Sequence, residues 1–258
     1  MRRPAQSVVQ GLRADDRGDP SFEGICAEHD AYVEALGSAG LEVAMLPPLE
    51  DFPDSVFVED PALVFPEGAI LLRPGAPSRV PEADELAPVL GELFDRVLEL
   101  PSPGFADGGD VLVTPQGVII GLSARTDRAG AEGLADCLAQ LGRNSRIVET
   151  PPGVLHLKSA CSLLDDETIL CTSALARSGI FEGFAQIVTA EGEDAAANAL
   201  RVNDRLIVGS GFPRTAERLG PLGIELVALE TSEIGKIDAG LSCMSLRWWD
   251  PAQAGRSG

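Results

Sequence analysis

Four short stretches carry groups able to do acid, base and nucleophile chemistry: "DSVFVED" (54–60), "FADGGDV" (105–111), "LHLKSACSLL" (155–164) and "GLSCMS" (240–245). The third holds His156, one of only two histidines in the chain, and the fourth holds Cys243. Each group has a plainer reading. A histidine among leucines is commonly a satisfied core residue, a single cysteine an inert buried thiol, and Asp-Gly-Gly-Asp a turn before a strand. Together they suggest more. A thiol beside an imidazole is a nucleophile whose thiolate the charged ring stabilises. Several carboxylates around it suit a cationic electrophile. A guanidinium pairs in plane with carboxylates, and its central carbon is open to a thiolate.

The elements that must bring these stretches together repeat along the chain. A short β-branched run recurs as "LEVAML" (41–46), "RVLEL" (96–100), "RIVET" (146–150), "QIVTA" (186–190) and "IELVAL" (224–229). In four cases a pair of apolar runs joined by turn chemistry follows, for example "GDVLVTPQGVIIGL" and "ANALRVNDRLIVGS". A stretch with helical spacing comes next, as in "ADELAPVLGELF" and "GAEGLADCLAQLG". Gly142, directly after Leu141, marks a helix end. The unit is strand, two strands, helix, at intervals of about 40–55 residues. A fifth unit is split: "IELVAL" and "GLSCMSLRWW" supply its C-terminal strands, and "SVVQGL" with the helical "GICAEHDAYVEALGSAG" opens the chain. A split last unit closes a ring of repeats without free sheet edges. The alternative is an open α/β sheet with helices on both faces. A dinucleotide-binding version of that sheet lacks its Gly-rich first turn. The four chemical stretches fall at one repeat position, so a ring would gather them at its centre.

Composition narrows the partners. The formal net charge is −20 and the pI about 4.4, which disfavours nucleic acid and anionic membranes and favours a small cation. Five cysteines without a Cys-x-x-Cys pair point to a reducing compartment, hence the cytoplasm, and away from thiolate metal sites. No run approaches the roughly 18 apolar residues of a membrane span. The arginine-rich start lacks the apolar core of a secretory signal. The chain is expected to form one domain over 1–258. The sequence does not specify oligomeric state and leaves a homodimer open.

Six ordered motifs, "DSVFVEDPALVF", "LLRPGAPSR", "DGGDVL", "GLSARTDRAGAE", "LHLKSACSLL" and "DAGLSCMS", closely resemble the dimethylarginine dimethylaminohydrolase family of guanidino-modifying enzymes. The resemblance runs from about Asp54 to Ser245. It implies a five-bladed β/α-propeller of ββαβ-type modules around a central active site. It also implies hydrolysis of Nω,Nω-dimethyl-L-arginine or Nω-methyl-L-arginine to citrulline and an amine, through a covalent thiouronium, with no metal or organic cofactor. By this resemblance Cys243 is the nucleophile and His156 the proton shuttle. Asp107 orients His156 and faces the guanidinium, although bacterial members often carry the longer Glu there. Asp60 grips the guanidinium with Glu59 beside it, and Asp54 receives the α-amine. Arg79 and Arg125 hold the α-carboxylate. Leu12 belongs to a lid, and Ile237 offers a backbone carbonyl. Arginine deiminases and amidinotransferases generally carry Asp two residues after the histidine, where this chain has Lys158. That departure points away from free arginine. Two other functions stay open: an arginine deiminase-like or other guanidino hydrolase, and a silent propeller that binds a cationic amino acid.

Overall fold

The computed structural model describes residues 1–14 and 16–249. Four three-stranded sheets follow one another, each an antiparallel hairpin whose second strand pairs in parallel with a third. The first contains β1 (Ala62–Phe65), β2 (Gly68–Leu71) and β3 (Val97–Glu99), with α1 (Phe22–Ser38) preceding it and α2 (Ala87–Leu93) crossing over from β2 to β3. The second has β4 (Val111–Thr114), β5 (Gly117–Leu122), α3 (Arg128–Gln140) and β6 (Ser145–Glu149). The third has β7 (Cys161–Leu163), β8 (Thr168–Cys171), α4 (Ser173–Ser178) and β9 (Ala185–Val188). The fourth has β10 (Leu200–Val202), β11 (Arg205–Gly209), α5 (Pro213–Leu219) and β12 (Glu225–Leu229). A parallel third strand needs a crossover, and each short helix supplies it.

Five apolar clusters close these modules into a ring. Leu63 and Ile70 of the first sheet pack on Val111, Ile120 and Leu134 of the second. Leu112 and Ile119 meet Leu157, Ile169 and Phe181 of the third. Leu164 and Leu170 meet Leu206 and Val208 of the fourth. Leu200 and Ile207 then pack on Val8, Ile25, Tyr32 and Met244, drawn from both ends of the chain. The last cluster returns to the first sheet, where Ala62 and Leu71 contact Leu46 and Leu246. Each sheet is too small to bury its faces alone, so adjacent modules supply one another's core. The fold is a β/α-propeller of ββαβ modules with a fifth segment made from the chain ends.

The fifth segment departs from the strands expected of it. Residues 41–46 run beside residues 1–3, but only one bridge forms, between Arg2 and Leu46. Pro47 and Pro48 follow at once and cannot donate to a ladder. The "SVVQGL" and "GLSCMS" runs are tight 3-10 turns at Gln6–Gln10 and Ser242–Met244 rather than strands. What joins the two ends is α1: its buried Tyr32 hydroxyl lies 2.7 Å from Ser245 Oγ. Among the described residues, no helix is long and apolar enough to cross a membrane.

His29 is fully buried on α1, and neither ring nitrogen makes a well-formed hydrogen bond. Burial pushes its pKa down, against weaker opposing effects from Asp30 and the Arg2 backbone. The folded chain thus holds this ring neutral at pH values where the unfolded chain protonates it. The stability involved is complete above the ordinary value of about 6.5 and is lost as pH falls below it. His29→Leu should flatten the decline in stability between pH 7 and 5, by at most about 1.4 kcal/mol per pH unit. Denaturant midpoints across that range for both chains provide the check. Parallel declines would exclude His29 as the source.

Candidate active site

The loops preceding β1, β4 and β7, together with a turn after β12, carry the site. Residues 54–60 form successive turns before β1, so the carboxylates of "DSVFVED" sit on turns rather than in a strand. Gly108–Asp110 and Leu157–Ser159 are single 3-10 turns before β4 and β7, and these two turns pack against each other. Cys243 lies in the Ser242–Met244 turn, half-buried. His156 and Cys243 both line a cavity of about 140 Å³, together with Leu12, Asp54, Asp60, Arg79, Arg125 and Ile237.

His156 is held by carboxylates. Its Nε2 lies 2.9 Å from Asp107 Oδ2. Burial alone would lower the pKa of the ring, but Asp60, the bond to Asp107 and the charge of Asp110 outweigh it and push it up to about 9. The ring is therefore an imidazolium at neutral pH, donating Nε2–H to Asp107. Asp107 has no exposed surface. Its second oxygen accepts the Gly75 N–H at 2.7 Å, and Arg125 Nη1 lies 3.9 Å from the first. The orienting part of the role expected for Asp107 has a contact. For the part facing the guanidinium, the side chain is fully buried and is not among the residues lining the cavity. The loop leaves no slack: a methyl on Gly109 would come within 2.9 Å of both His156 and Asp60 Oδ1.

Cys243 stands among anions. Its thiol pKa is pushed up to about 12 by burial, then by Glu59 and Asp60; the Gly240 backbone N–H and Lys158 pull the other way. The resting nucleophile is consequently a neutral thiol. A cation placed beside Asp60 would cancel the charge that keeps it so.

Asp60 and Arg79 form a buried ion pair through Asp60 Oδ2 and Arg79 Nη1. Arg79 and, to a lesser degree, His156 hold the Asp60 carboxyl below the usual range against the opposing effect of burial. Arg79 was expected at an α-carboxylate, yet its guanidinium is already committed. Nε and Nη2 bond Glu82, the latter at 2.7 Å, and Nη2 also donates to the Phe57 carbonyl at 2.9 Å. Arg125 differs: it lines the cavity with its side chain 21% exposed and makes one long contact, to Asp107. Glu59 is likewise committed. Its Oε1 pairs with Lys158 Nζ at 2.7 Å, its Oε2 accepts from Ser242 Oγ at 3.0 Å, and its N–H reaches the Cys243 carbonyl at 3.2 Å. Glu59 thus fixes the nucleophile turn rather than offering free oxygens to a ligand. Asp54 Oδ1 accepts the Leu12 N–H at 2.9 Å, tying the 11–14 strap across the cavity. The strap is also held at the Ala14 N–H by Asp238, the residue after Ile237, which pairs with Arg17 as well.

Three positioning residues were missed in the sequence reading. Asp110 accepts Leu157 N–H at 2.9 Å and the hydroxyls of Ser123 and Thr126, locking the two turns together. Asn198 accepts Ser242 N–H at 3.0 Å and donates to the Lys158 carbonyl at 3.0 Å, joining the histidine loop to the nucleophile loop. Glu82 balances Arg79. Asn198 had a signal: it precedes β10 by two residues, as Asp60 precedes β1. Asp60, Asp107 and His156 bring donor atoms within 4.8 Å of one another, a spacing that would admit a metal ion as well as an organic cation.

The family model for arginine deiminase matches residues 48–187. The N(G),N(G)-dimethylarginine dimethylaminohydrolase of Pseudomonas aeruginosa is 38% identical over 96% of this chain and 97% of its own. The enzyme of that name from Streptomyces coelicolor is 36% identical over 96% and 95%. A solved structure of the Pseudomonas enzyme, a Cys-to-Ser variant complexed with citrulline, superimposes with a TM-score of 0.92 at 37% identity, covering 95% of this chain and 96% of that one. With the same ring of modules and near-complete coverage, the chain belongs to the dimethylarginine dimethylaminohydrolase family.

Proposed function

We propose that this chain hydrolyses Nω,Nω-dimethyl-L-arginine to L-citrulline and dimethylamine, and Nω-methyl-L-arginine to citrulline and methylamine. The carrying observation is one cavity in which a thiol, a charged imidazole and the buried carboxylate Asp60 meet. The citrulline bound to the Pseudomonas relative is the product this reaction requires. As the guanidinium settles against Asp60, the Cys243 thiol releases its proton to solvent water, His156 being already protonated, and the thiolate attacks the central carbon. His156 gives its proton to the substituted nitrogen, the carbon–nitrogen bond breaks, and the amine leaves a thiouronium on sulfur. The neutral imidazole then takes a proton from water as that water attacks the same carbon. Collapse expels Cys243 and leaves the ureido group. Asp54 and the backbone carbonyls of Leu12 and Ile237 receive the α-amine. The five free cysteines support a cytoplasmic setting.

Lys158 favours a substituted guanidinium over free arginine. It neutralises Glu59 where deiminases would present a further carboxylate, leaving Asp60 as the cavity's guanidinium partner. A citrulline assay on dimethylarginine, methylarginine and arginine tests this choice. The methylated compounds should have the higher kcat/KM. Faster arginine turnover would make the chain a deiminase, and no citrulline from any of them would leave only a binding protein.

The two arginines should separate on the same assay. Arg125→Ala should raise KM for dimethylarginine about ten- to hundredfold, the effect of losing a charge-assisted contact worth roughly 1.5–3 kcal/mol. It should leave a simple alkylguanidine, which lacks the carboxylate, nearly unaffected. Arg79→Ala strands Asp60 and Glu82 in the interior, a loss of about 3–5 kcal/mol in stability, and should damage both substrates alike. Equal losses for Arg125→Ala on both substrates would remove it from carboxylate recognition.

A further inference from the structure

A second cavity, about 610 Å³, meets the first at Leu155, His156, Asp238, Ala239 and Cys243. The small cavity holds the groups suited to the amino-acid end of a substrate: Asp54, Arg125 and the strap. The large one holds neither Asp60 nor Arg79 and opens on the other side of the thiol and the imidazole. Near the reacting groups its wall is made of small residues, among them Gly109, Ser159, Ala239 and Gly240. Lys158 also belongs to that wall, but its ammonium is drawn onto Glu59 at 2.7 Å.

The chemistry of the leaving nitrogen sets its direction. Alkyl groups cannot donate hydrogen bonds, so turning them toward Asp60, whose oxygens already take the Gly109 N–H at 3.1 Å and Arg79, would forfeit the charge-assisted bond that an unsubstituted nitrogen adds there. The unsubstituted nitrogen therefore faces Asp60, and the substituted one faces away from it. That nitrogen must also reach His156, which lies on the boundary with the large cavity. The alkyl groups then point into space far bigger than two methyls need, with apolar Phe212 farther along its wall.

Resting on the hydrolase reading above, we infer that the chain also hydrolyses Nω-substituted arginines whose leaving amine is much larger than dimethylamine, such as propylamine or benzylamine. The balance is the same for each. The Cys243 thiol gives its proton to solvent water, its sulfur bonds to the guanidinium carbon, and the bond from that carbon to the substituted nitrogen breaks. The proton from His156 leaves on the amine. Every such substrate yields the same thiouronium, so its hydrolysis is a common second step, and selectivity is confined to binding and the first step.

Nω-propyl-L-arginine and Nω-methyl-L-arginine compared on the intact enzyme decide the matter, with citrulline and the released amine both measured. Propylarginine should show kcat/KM within tenfold of methylarginine, with propylamine equal to citrulline. A loss greater than tenfold, or competitive inhibition without amine release, overturns the inference while leaving the hydrolase intact. Failure of methylarginine itself brings down the hydrolase reading instead. A crystal structure of Cys243→Ser with propylarginine should place the propyl group beside Ala239 and Gly240. A propyl group lodged under Leu12 would equally overturn the inference.

Discussion

Cys243→Ser is expected to lose turnover by on the order of 10⁴-fold or more while still binding dimethylarginine. The thiol already resists ionisation, its pKa pushed up to about 12 by burial and by the charges of Glu59 and Asp60. A serine hydroxyl in that setting is harder still to ionise, and the bound cation that would free a thiolate is insufficient to free an alkoxide. Binding should survive because Asp60, Asp54 and Arg125 are untouched, and the turn carrying residue 243 is fastened through its neighbours. The Cys243 carbonyl takes the Glu59 N–H, and Ser242 is held by Asn198 and Glu59. Calorimetric titration with dimethylarginine beside a citrulline assay separates the two effects. A serine variant keeping a substantial fraction of the rate would remove Cys243 from covalent chemistry.

Much of this arrangement was readable from repetition. The strand, two strands, helix repeat reappears in four sheets, but each lone strand closes the sheet before it, so residues 224–229 end the fourth sheet rather than open a fifth. Three of the four chemical stretches lead into a first strand (β1, β4 and β7), and the fourth, with Cys243, reaches the same cavity from a turn after β12. What repetition could not convey is how the charges pair. "DSVFVED" offers three carboxylates that look equivalent on paper. In the fold Asp54 holds the strap, Glu59 is consumed by Lys158 and Ser242, and Asp60 is set against Arg79. Those pairings link residues 19 to 183 positions apart, and such separations leave no local pattern. Arg79 and Arg125 look alike in sequence and both line the cavity, but burial sets Arg79 between Asp60 and Glu82 and leaves Arg125 with one long contact, to Asp107.

The fifth segment was harder for a different reason. Its apolar runs have the composition of strands, but a strand needs a partner of matching length. Residues 41–46 meet only the first three residues of the chain before Pro47 intervenes, and the runs at 7–12 and 240–245 are taken up by tight turns. Those turns serve the site. A regular strand alternates its side chains to opposite faces. The Ser242–Met244 turn instead buries Ser242 and Met244 while leaving Cys243 half-exposed at the cavity.

His156→Gly should lower the rate by ~10²–10⁴-fold, the usual cost of lost acid–base catalysis, and should also change the shape of the pH profile. The resting pair is thiol and imidazolium, whereas the reactive pair is thiolate and imidazolium, one proton poorer. The coupled pair gives up its first proton at about 9, the value to which Asp60, Asp107 and Asp110 raise the ring against burial. In the natural chain kcat/KM should accordingly climb with pH to about 9 and level above it. Without the imidazole that first proton is absent. The profile should then keep rising beyond pH 9, as the thiol titrates alone toward its own higher value. Release of the amine should be impaired more than attack, because dimethylamine has lost its proton donor while the sulfur has not lost its electrophile. Added imidazole should restore part of the rate if the space left by the ring admits it. A His156→Gly profile that still bends near 9 would assign that bend to another group and take the shuttle role away from His156.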